Sequence, residues 1–229
     1  MADLSVKLFD FTLKNPVMPA AGPPIKDAKM AKKAKEGGTG AIVTKTISTE
    51  AAEVPRPNMA QTRGGFMNTE LWSEEGPEHW LKNEYPKIKE LGLPVIVGLG
   101  YSAEQITELV QKTESYADAF ELSTHYLGSD TSPVVETIKA AKKATDKPVM
   151  VKLSPQIDIP KFAKAAEDAG GNFPAGIKSC FSGCKKCRYP CFSCWRNFYR
   201  CRCRQDDYGG SPGSADLYGC YTKGCSNLW

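Results

Sequence analysis

The first 179 residues of this 229-residue chain contain no cysteine, and all nine cysteines lie between Cys180 and Cys225. The chain also has no apolar run near the ~20 residues that a membrane-spanning helix needs. Its N-terminus lacks the basic segment and apolar stretch of a secretory signal. These absences predict a cytoplasmic protein that does not insert into a membrane.

The distribution of charge divides the chain at a similar place. Residues 171–229 hold nine lysines and arginines against three aspartates, a net charge of +6. Because the whole chain carries +4, residues 1–170 carry −2. The basic C-terminal segment shows no amphipathic pattern that would present a face to nucleic acid, so we expect no nucleic-acid partner. We predict two parts, residues 1–170 and 171–229.

Residues 1–170 alternate between short apolar runs and amphipathic stretches. The apolar runs predict strands at 16–22, 41–46, 94–100, 119–125 and 148–154. The amphipathic stretches predict helices at 26–35, 78–92, 103–116, 133–144 and 159–169. Ser102 is the predicted N-cap of the third helix, and a long loop runs from 47 to about 76. Strands that are apolar on both faces imply a parallel sheet covered by helices.

Two α/β architectures fit five strand–helix units. An open doubly wound sheet would be complete at Gly170, whereas a (β/α)₈ barrel takes ~250 residues and would be incomplete by three units. No Gly-x-Gly-x-x-Gly follows the first predicted strand, which disfavours a dinucleotide fold. In both architectures the functional residues lie where strands end. Those positions hold Gly22, Lys45, Thr46, Ser123, His125, Lys152 and Ser154.

Five segments carry a specific resemblance. In order along the chain they are Asn15–Pro23 (NPVMPAAGP), Gly40–Thr46 (GAIVTKT), Pro55–Asn58 (PRPN), Gly65–Asn68 (GFMN) and Val151–Pro155 (VKLSP). Together these segments resemble the FMN-dependent dihydroorotate dehydrogenases and the catalytic domain of the related dihydropyrimidine dehydrogenases. The resemblance covers residues 4 to about 170.

The resemblance implies an incomplete (β/α)₈ barrel of about five units, with FMN at its C-terminal mouth. The residues that would then contact the cofactor are Ala20, Ala21, Gly22, Lys45, Thr46, Ser123 and Lys152. Lys45 would also be catalytic, and Asn68 would bind the substrate. Two lysines beside the ring make chemical sense, because reduced flavin carries negative charge that fixed cations stabilise.

The end of the fourth predicted strand departs from the family pattern. The family has a motif like Asn-Leu-Ser-Cys-Pro-Asn, whereas this chain has Ser123 at the asparagine position and Tyr126 at the cysteine position. Tyrosine, with a reference pKa of ~10, is a poor base at neutral pH. His125 is better matched, and strand alternation places it on the same face as Ser123. We hypothesise that His125 transfers a proton, the alternative being an ordinary hydrogen-bonding histidine.

Three interpretations of the cysteine-rich segment stay open. Its C-x₃-C-x₂-C-x₃-C-x₂-C pattern, beginning at Cys180, is compatible with an iron–sulfur or zinc site, although the inter-knuckle span is short for zinc. A disulfide-rich module conflicts with the odd number of cysteines and the absence of a signal. The interpretation we favour is that the segment is not the native continuation, because its composition resembles an out-of-frame translation. We therefore assign no metal site.

Function follows from the resemblance. We expect an FMN-dependent oxidoreductase that acts on the CH–CH bond of a dihydropyrimidine-like small molecule in pyrimidine metabolism, with a homodimer or an electron-transfer partner in the full-length family. As a truncated barrel, the chain alone is expected to bind FMN poorly and to have impaired activity. The alternatives are a non-catalytic half-barrel scaffold with a metal-binding tail, and a doubly wound enzyme with another phosphate ligand.

Overall fold

The computed structural model describes residues 3–69, 71–123, 127–154 and 156–172, including the backbone but not the side chains of Phe66 and Asn68. Its eight strands, in chain order, are β1 (Val6–Leu8), β2 (Phe11–Leu13), β3 (Ile42–Val43), β4 (Met59–Thr62), β5 (Gly65–Asn68), β6 (Val95–Leu99), β7 (Ala119–Ser123) and β8 (Val149–Lys152). Four of them form a parallel sheet in the order β3-β6-β7-β8. β1–β2 and β4–β5 are antiparallel hairpins.

The described part of the chain contains six α-helical segments. They are α1 (Ala28–Glu36), α2 (Pro77–His79), α3 (Tyr85–Lys89), α4 (Ala103–Thr113), α5 (Ser132–Ala144) and α6 (Ile159–Asp168). Asp27 caps α1, since its side chain accepts a hydrogen bond from Met30 N. The predicted cap at Ser102 is confirmed, because Ser102 and Gln105 form a reciprocal capping box. None of the helices within the described ranges is long and apolar enough to cross a membrane.

The two faces of the parallel sheet bury different partners. One face packs Val97, Leu99, Phe120 and Val149 among apolar side chains of the helices. On the other face, the hairpin β1–β2 contributes a second apolar cluster with the sheet. That cluster contains Leu8, Leu13, Ala41, Val43, Ile96 and Ala119. We call this second face the inner face. The α/β class expected from the alternation of strands and helices is confirmed.

The first predicted strand is wrong, because residues 16–22 form no strand. Pro16 and Pro19 have no backbone N–H to donate to a ladder, and Val17 is 67% exposed. The carbonyl of Val17 still accepts a hydrogen bond from Gly40 N at 2.7 Å, just before β3. The same carbonyl also accepts a hydrogen bond from Thr39 Oγ1 at 3.0 Å. The segment therefore contacts the chain just before β3 without forming a strand, and the parallel sheet has four described strands rather than five.

The predicted helix at 78–92 contains a wider turn than expected. Between α2 and α3, residues Trp80–Glu84 form a π-helical turn in which Tyr85 N donates to Trp80 O. Pro86 has no N–H, and its ring would clash with the carbonyl four residues earlier in a regular α-helix. A wider turn before this proline relieves that clash, so the sequence still forms one continuous helical stretch from Pro77 to Lys89.

One hydrogen-bonding device recurs at the amino edge of the sheet. Asp118 precedes β7, donates its N–H to Val95 O at 2.7 Å and accepts from Val95 N at 2.8 Å. Asn172 repeats both bonds with Val149, at 2.7 and 2.9 Å. In each case an Asp or Asn side chain pairs with the first residue of the preceding strand. We call this device the Asx clamp.

Candidate active site at the carboxyl edge of the sheet

Lys45 and Thr46 follow β3 at the carboxyl edge of the sheet, and both are buried. Lys45 is 5% exposed, and its backbone N–H donates to Ile25 O at 3.1 Å. Ile25 ends the short 3₁₀ turn that begins after Gly22. The backbone of Lys45 is thus connected to the segment that contains the predicted small residues, Ala20, Ala21 and Gly22.

Ser123 ends β7 and meets Thr46 across the intervening strand β6. The Ser123 side chain is 1% exposed, and its Oγ lies 3.2 Å from Thr46 Oγ1. Gly98 of β6 leaves room for this contact, because a Cβ at Gly98 would lie 3.2 Å from Thr46 Oγ1. The structure therefore brings together two of the predicted cofactor-binding residues.

Lys152 ends β8 and forms an ion pair with Glu121 of β7. Lys152 Nζ lies 3.5 Å from Glu121 Oε1, and the two side chains are 31% and 14% exposed. Burial raises the pKa of Glu121 above its ordinary value, while the nearby Lys152 ammonium opposes that rise. Sequence analysis missed Glu121, although a carboxylate inside the apolar run of a predicted strand was an available signal.

Lys45 and Lys152 lie at the same edge but not beside each other. The order β3-β6-β7-β8 places two strands between them. Three inter-strand spacings of ~4.8 Å give about 14 Å along the sheet. An extended ring system placed over β6 and β7 would lie between the two lysines.

Ser73 attaches the long loop to this edge, a role that sequence analysis missed. Its backbone N–H donates to Thr46 O at 2.8 Å, and its carbonyl accepts from Ala52 N at 2.8 Å. Its Oγ accepts hydrogen bonds from the buried Trp80 Nε1 at 2.8 Å and from Glu75 N at 3.0 Å. The neighbouring Trp72 packs against Gly100 and Tyr101 after β6. The loop is therefore held over the ends of β3 and β6.

Other predicted site residues cannot be placed by their side chains. Asn68 lies in β5 opposite Met59, and only its backbone is described. His125 and Tyr126 lie outside the described residues, as do all nine cysteines. Among the described residues, no group of three or more His, Cys, Asp or Glu side chains could hold a metal ion.

The described edge fits the ring of the FMN that the resemblance implies. Ala20, Ala21 and Gly22 are exposed or half-buried. A Cβ at Gly22 would meet only Pro24 Cδ, at 3.8 Å, so the surface there is open. The two lysines supply positive charge, and the Thr46–Ser123 pair supplies hydroxyl groups between them in the order of the sheet. Small residues, cations and hydroxyls together suit a planar, electron-rich ligand.

Comparison with known proteins gives one family. The profile of the dihydroorotate dehydrogenase family matches residues 3–183. The catalytic subunit of dihydroorotate dehydrogenase B (NAD(+)) from Pyrococcus horikoshii is 34% identical over 188 residues, which are 77% of this chain and 61% of the relative. The corresponding subunit from Geobacter sulfurreducens is 30% identical over 181 residues, covering 73% of this chain and 59% of the relative.

A solved structure shares the fold. The ligand-free dihydroorotate dehydrogenase from Eimeria tenella superposes with a TM-score of 0.61 and 16% sequence identity. The similarity covers 74% of this chain and 60% of that chain. The chain thus spans about three fifths of the length of the relatives that it matches.

Proposed function

This chain belongs to the dihydroorotate dehydrogenase family, and we propose that it is an FMN-binding oxidoreductase acting on a CH–CH bond of a dihydropyrimidine-like substrate. The family supplies the reaction class, and the arrangement of Lys45 and Lys152 at one edge of the sheet is the observation that carries the proposal. The described strands β3, β6, β7 and β8 would form part of a (β/α)₈ barrel, with residues 1–170 as the FMN-binding part and 171–229 as a separate segment.

The ring-binding roles go to residues that the sheet brings to one edge. Ala20, Ala21 and Gly22 would allow the ring to approach the backbone, while Thr46 and Ser123 would offer hydroxyl groups over β6. Lys45 and Lys152 would stabilise negative charge from the two ends of this surface. Asn68 would bind the substrate. The burial of Lys45 and Ser123 supports these roles, because low local dielectric strengthens polar interactions with a ligand.

The reaction class also requires a base from this chain. FMN, when bound, supplies the acceptor for the hydride that leaves one carbon of the CH–CH unit. The neighbouring carbon loses a proton, and a C=C bond forms. We assign that proton to His125, two residues after Ser123 in the chain, because an imidazole exchanges protons readily near neutral pH.

An FMN titration tests the proposal. The full chain is titrated with FMN by flavin fluorescence, alongside the variants Lys45→Met, Lys152→Met and Lys164→Met. Lys164 is an exposed control that pairs with Asp168 on α6. We expect the first two variants to weaken binding and the control to leave it unchanged. Binding that is indifferent to both lysines, or no binding at all, would overturn the proposal. The same titration measures the poor affinity predicted for this chain alone.

A dihydropyrimidine titration then tests the substrate class. The FMN-loaded chain is mixed anaerobically with dihydroorotate and, separately, with dihydrouracil. We expect one of these compounds to bleach the flavin absorbance, and His125→Gln to slow the bleaching without weakening FMN binding. A flavin that neither compound reduces would contradict the substrate assignment while leaving FMN binding in place.

We also propose that a partner subunit receives the electrons. This proposal is supported by the names of the relatives, which are catalytic subunits of an NAD(+)-linked enzyme. The flavin of the isolated chain, once reduced by substrate, is expected to stay reduced when NAD(+) is added. Rapid reoxidation by NAD(+) with no other subunit present would contradict this proposal.

A further inference from the structure

Glu121 is an acidic side chain in an apolar part of the sheet. It lies in the middle of β7 on the inner face, where its register partners are Gly98 on β6 and Met150 on β8. Its side chain is only 14% exposed. One inner-face position earlier, Ala119 belongs to the apolar cluster that the β1–β2 hairpin helps to form. Glu121 thus lies at the boundary between that cluster and the polar carboxyl edge.

One oxygen of Glu121 is left without a hydrogen bond. Oε1 is sealed from solvent and accepts no hydrogen bond from the described residues. The ammonium of Lys152 lies 3.5 Å from this oxygen, close enough for an ion pair but outside hydrogen-bond geometry. A buried carboxylate needs a compensating charge. The ionised form of Glu121 is therefore stabilised by the nearby Lys152 ammonium, and the carboxylate in turn attracts that ammonium.

We propose that Glu121 is a positioning residue that holds the Lys152 ammonium against the inner face and offsets part of its charge. Lys152 has a flexible four-carbon side chain at the end of its strand, and such a side chain otherwise extends its charge into water. Glu121 is a diagonal neighbour on the adjacent strand, one inner-face position closer to the apolar cluster. Its attraction therefore turns the ammonium back toward the sheet.

The same arrangement sets the charge of the candidate site. This step rests on the proposed function, in which Lys152 contacts FMN. With Glu121 ionised, its negative charge offsets part of the positive charge that Lys152 presents to the ring. Removing the carboxylate leaves Lys152 uncompensated, which favours a more electron-rich ring beside it. Glu121 thus tunes the reduction equilibrium without touching the cofactor.

The positioning role can be measured without FMN. Lysines of the full chain are reductively methylated with ¹³C-formaldehyde, and the Lys152 signal, assigned from its loss in Lys152→Arg, is followed by NMR in the presence of a soluble paramagnetic agent. We expect Glu121→Gln to increase the paramagnetic relaxation of the Lys152 signal about twofold, because the ammonium then extends into water. Asp168→Asn, the matched control beside Lys164, should leave the relaxation of the Lys152 signal unchanged. Unchanged relaxation of the Lys152 signal in Glu121→Gln would overturn the inference.

A shorter carboxylate provides a second variant in case Glu121→Gln does not fold. Glu121→Asp keeps the charge but cannot reach as far, so we expect the paramagnetic relaxation of the Lys152 signal to lie between those of the wild type and Glu121→Gln. Relaxation in Glu121→Asp equal to that of the wild type would also overturn the inference, because it would make the reach of the carboxylate irrelevant.

The charge effect is measured as the midpoint potential of the bound flavin. We expect Glu121→Gln to shift the reduction equilibrium tenfold toward the reduced form, about 30 mV for a two-electron couple. In the Lys152→Met background the shift should be smaller, because the compensated cation is gone. An equal shift in both backgrounds would contradict the role of Lys152. Failure of the wild type to bind FMN would overturn the proposed function but leave the NMR result standing.

Discussion

Thr46 Oγ1 and Ser123 Oγ lie 3.2 Å apart in the interior, although 77 residues separate them along the chain. Their strands are not neighbours, since β6 lies between β3 and β7. The contact exists because Gly98 of β6 presents no side chain at that level. The absence of a side chain at Gly98 therefore allows residues that follow β3 and end β7 to share a hydrogen bond above β6.

Gly98→Ala should be destabilising for this reason. Its Cβ would lie 2.9 Å from Thr44 O, a backbone atom, and 3.2 Å from Thr46 Oγ1. Overpacking of this kind costs about 1–3 kcal/mol of the free energy of unfolding, which urea denaturation can measure. Gly64→Ala is the matched control, because no atom lies within 4 Å of a Cβ at Gly64. Equal stability of the two variants would contradict the close approach at Gly98.

Ser73 and Trp80 should be energetically coupled. Ser73→Ala leaves the buried Trp80 Nε1 without its acceptor, which costs about 1–3 kcal/mol. Trp80→Phe removes the donor as well as part of the packing. In the double variant no indole N–H is stranded, so the destabilisation should be less than the sum of the two single effects. Strict additivity in a double-mutant cycle would show that the Ser73–Trp80 hydrogen bond does not stabilise the attachment of the loop.

Glu121 should make the protein less stable as pH rises above the acidic range. Burial raises its folded-state pKa above the ordinary value of 4.5, with Lys152 opposing the rise. Between the unfolded and folded pKa values, the folded protein holds a proton that the unfolded chain has released. The free energy of unfolding therefore falls as pH rises through this window and levels off above the folded pKa. Glu121→Gln removes this contribution, so the wild type should lose stability relative to the variant across the window.

Asp130 provides a control of opposite sign for that pH series. Hydrogen bonds from the backbone and hydroxyl of Ser132 lower the pKa of this exposed carboxyl. Its contribution is present above the unfolded pKa and is lost as pH falls through the folded pKa. The free energy of unfolding of the wild type, measured relative to that of Asp130→Asn, should therefore increase as pH rises through this range. The same sign for both residues would contradict the assigned causes.

Lys45→Met should weaken FMN binding at least tenfold, which corresponds to about 1.4 kcal/mol. Methionine replaces the buried stem of the lysine and removes its charge, so the main loss should be electrostatic. Far-UV circular dichroism and urea denaturation of the variant control for unfolding. Tight FMN binding by a folded Lys45→Met protein would remove Lys45 from the site.

Asn172→Ala should weaken the sheet at the start of β8, where Asn172 pairs with Val149. The substitution leaves Val149 N without the side-chain acceptor at 2.9 Å, and an unsatisfied buried N–H costs about 1–3 kcal/mol. Asn172→Asp keeps the acceptor and copies the arrangement at Asp118, so it should retain most of the stability. Hydrogen exchange of the Val149 amide distinguishes a local effect from a global one.

Helix ends and strand cores could be predicted because their signals are local. Ser102 caps α4 as predicted, and β6 occupies the apolar run predicted at 94–100. The hairpin β1–β2 was missed because its strands have three residues each and its turn uses Phe9, with a φ of 55°, rather than glycine. The β4–β5 hairpin was missed because β4 is exposed and lacks an apolar alternation.

Tertiary relationships at the site were harder to predict. The sequence places Lys45, Thr46, Ser123 and Lys152 at strand ends, and the structure puts all four at one edge of the sheet. Their roles toward FMN stay predictions. Glu121 could not be found by searching strand ends, since its importance depends on its register with Gly98, Met150 and, diagonally, Lys152. The role of Ser73 depends on its hydrogen bond with Trp80, which begins a π-helical turn. No periodic pattern in the sequence predicts that turn.

The Asx clamp has a consequence for how such a sheet can be rearranged. The residue that aligns β7 with β6 is Asp118, which stands directly before the strand it aligns. The side chain that fixes the register of β7 against β6 therefore belongs to the segment that leads into β7. The strand β6 contributes only the backbone N–H and carbonyl of Val95. In a chimera that takes β7 from this protein, a junction just before Asp118 would include the aspartate that fixes the strand register. A junction just after Asp118 would omit it.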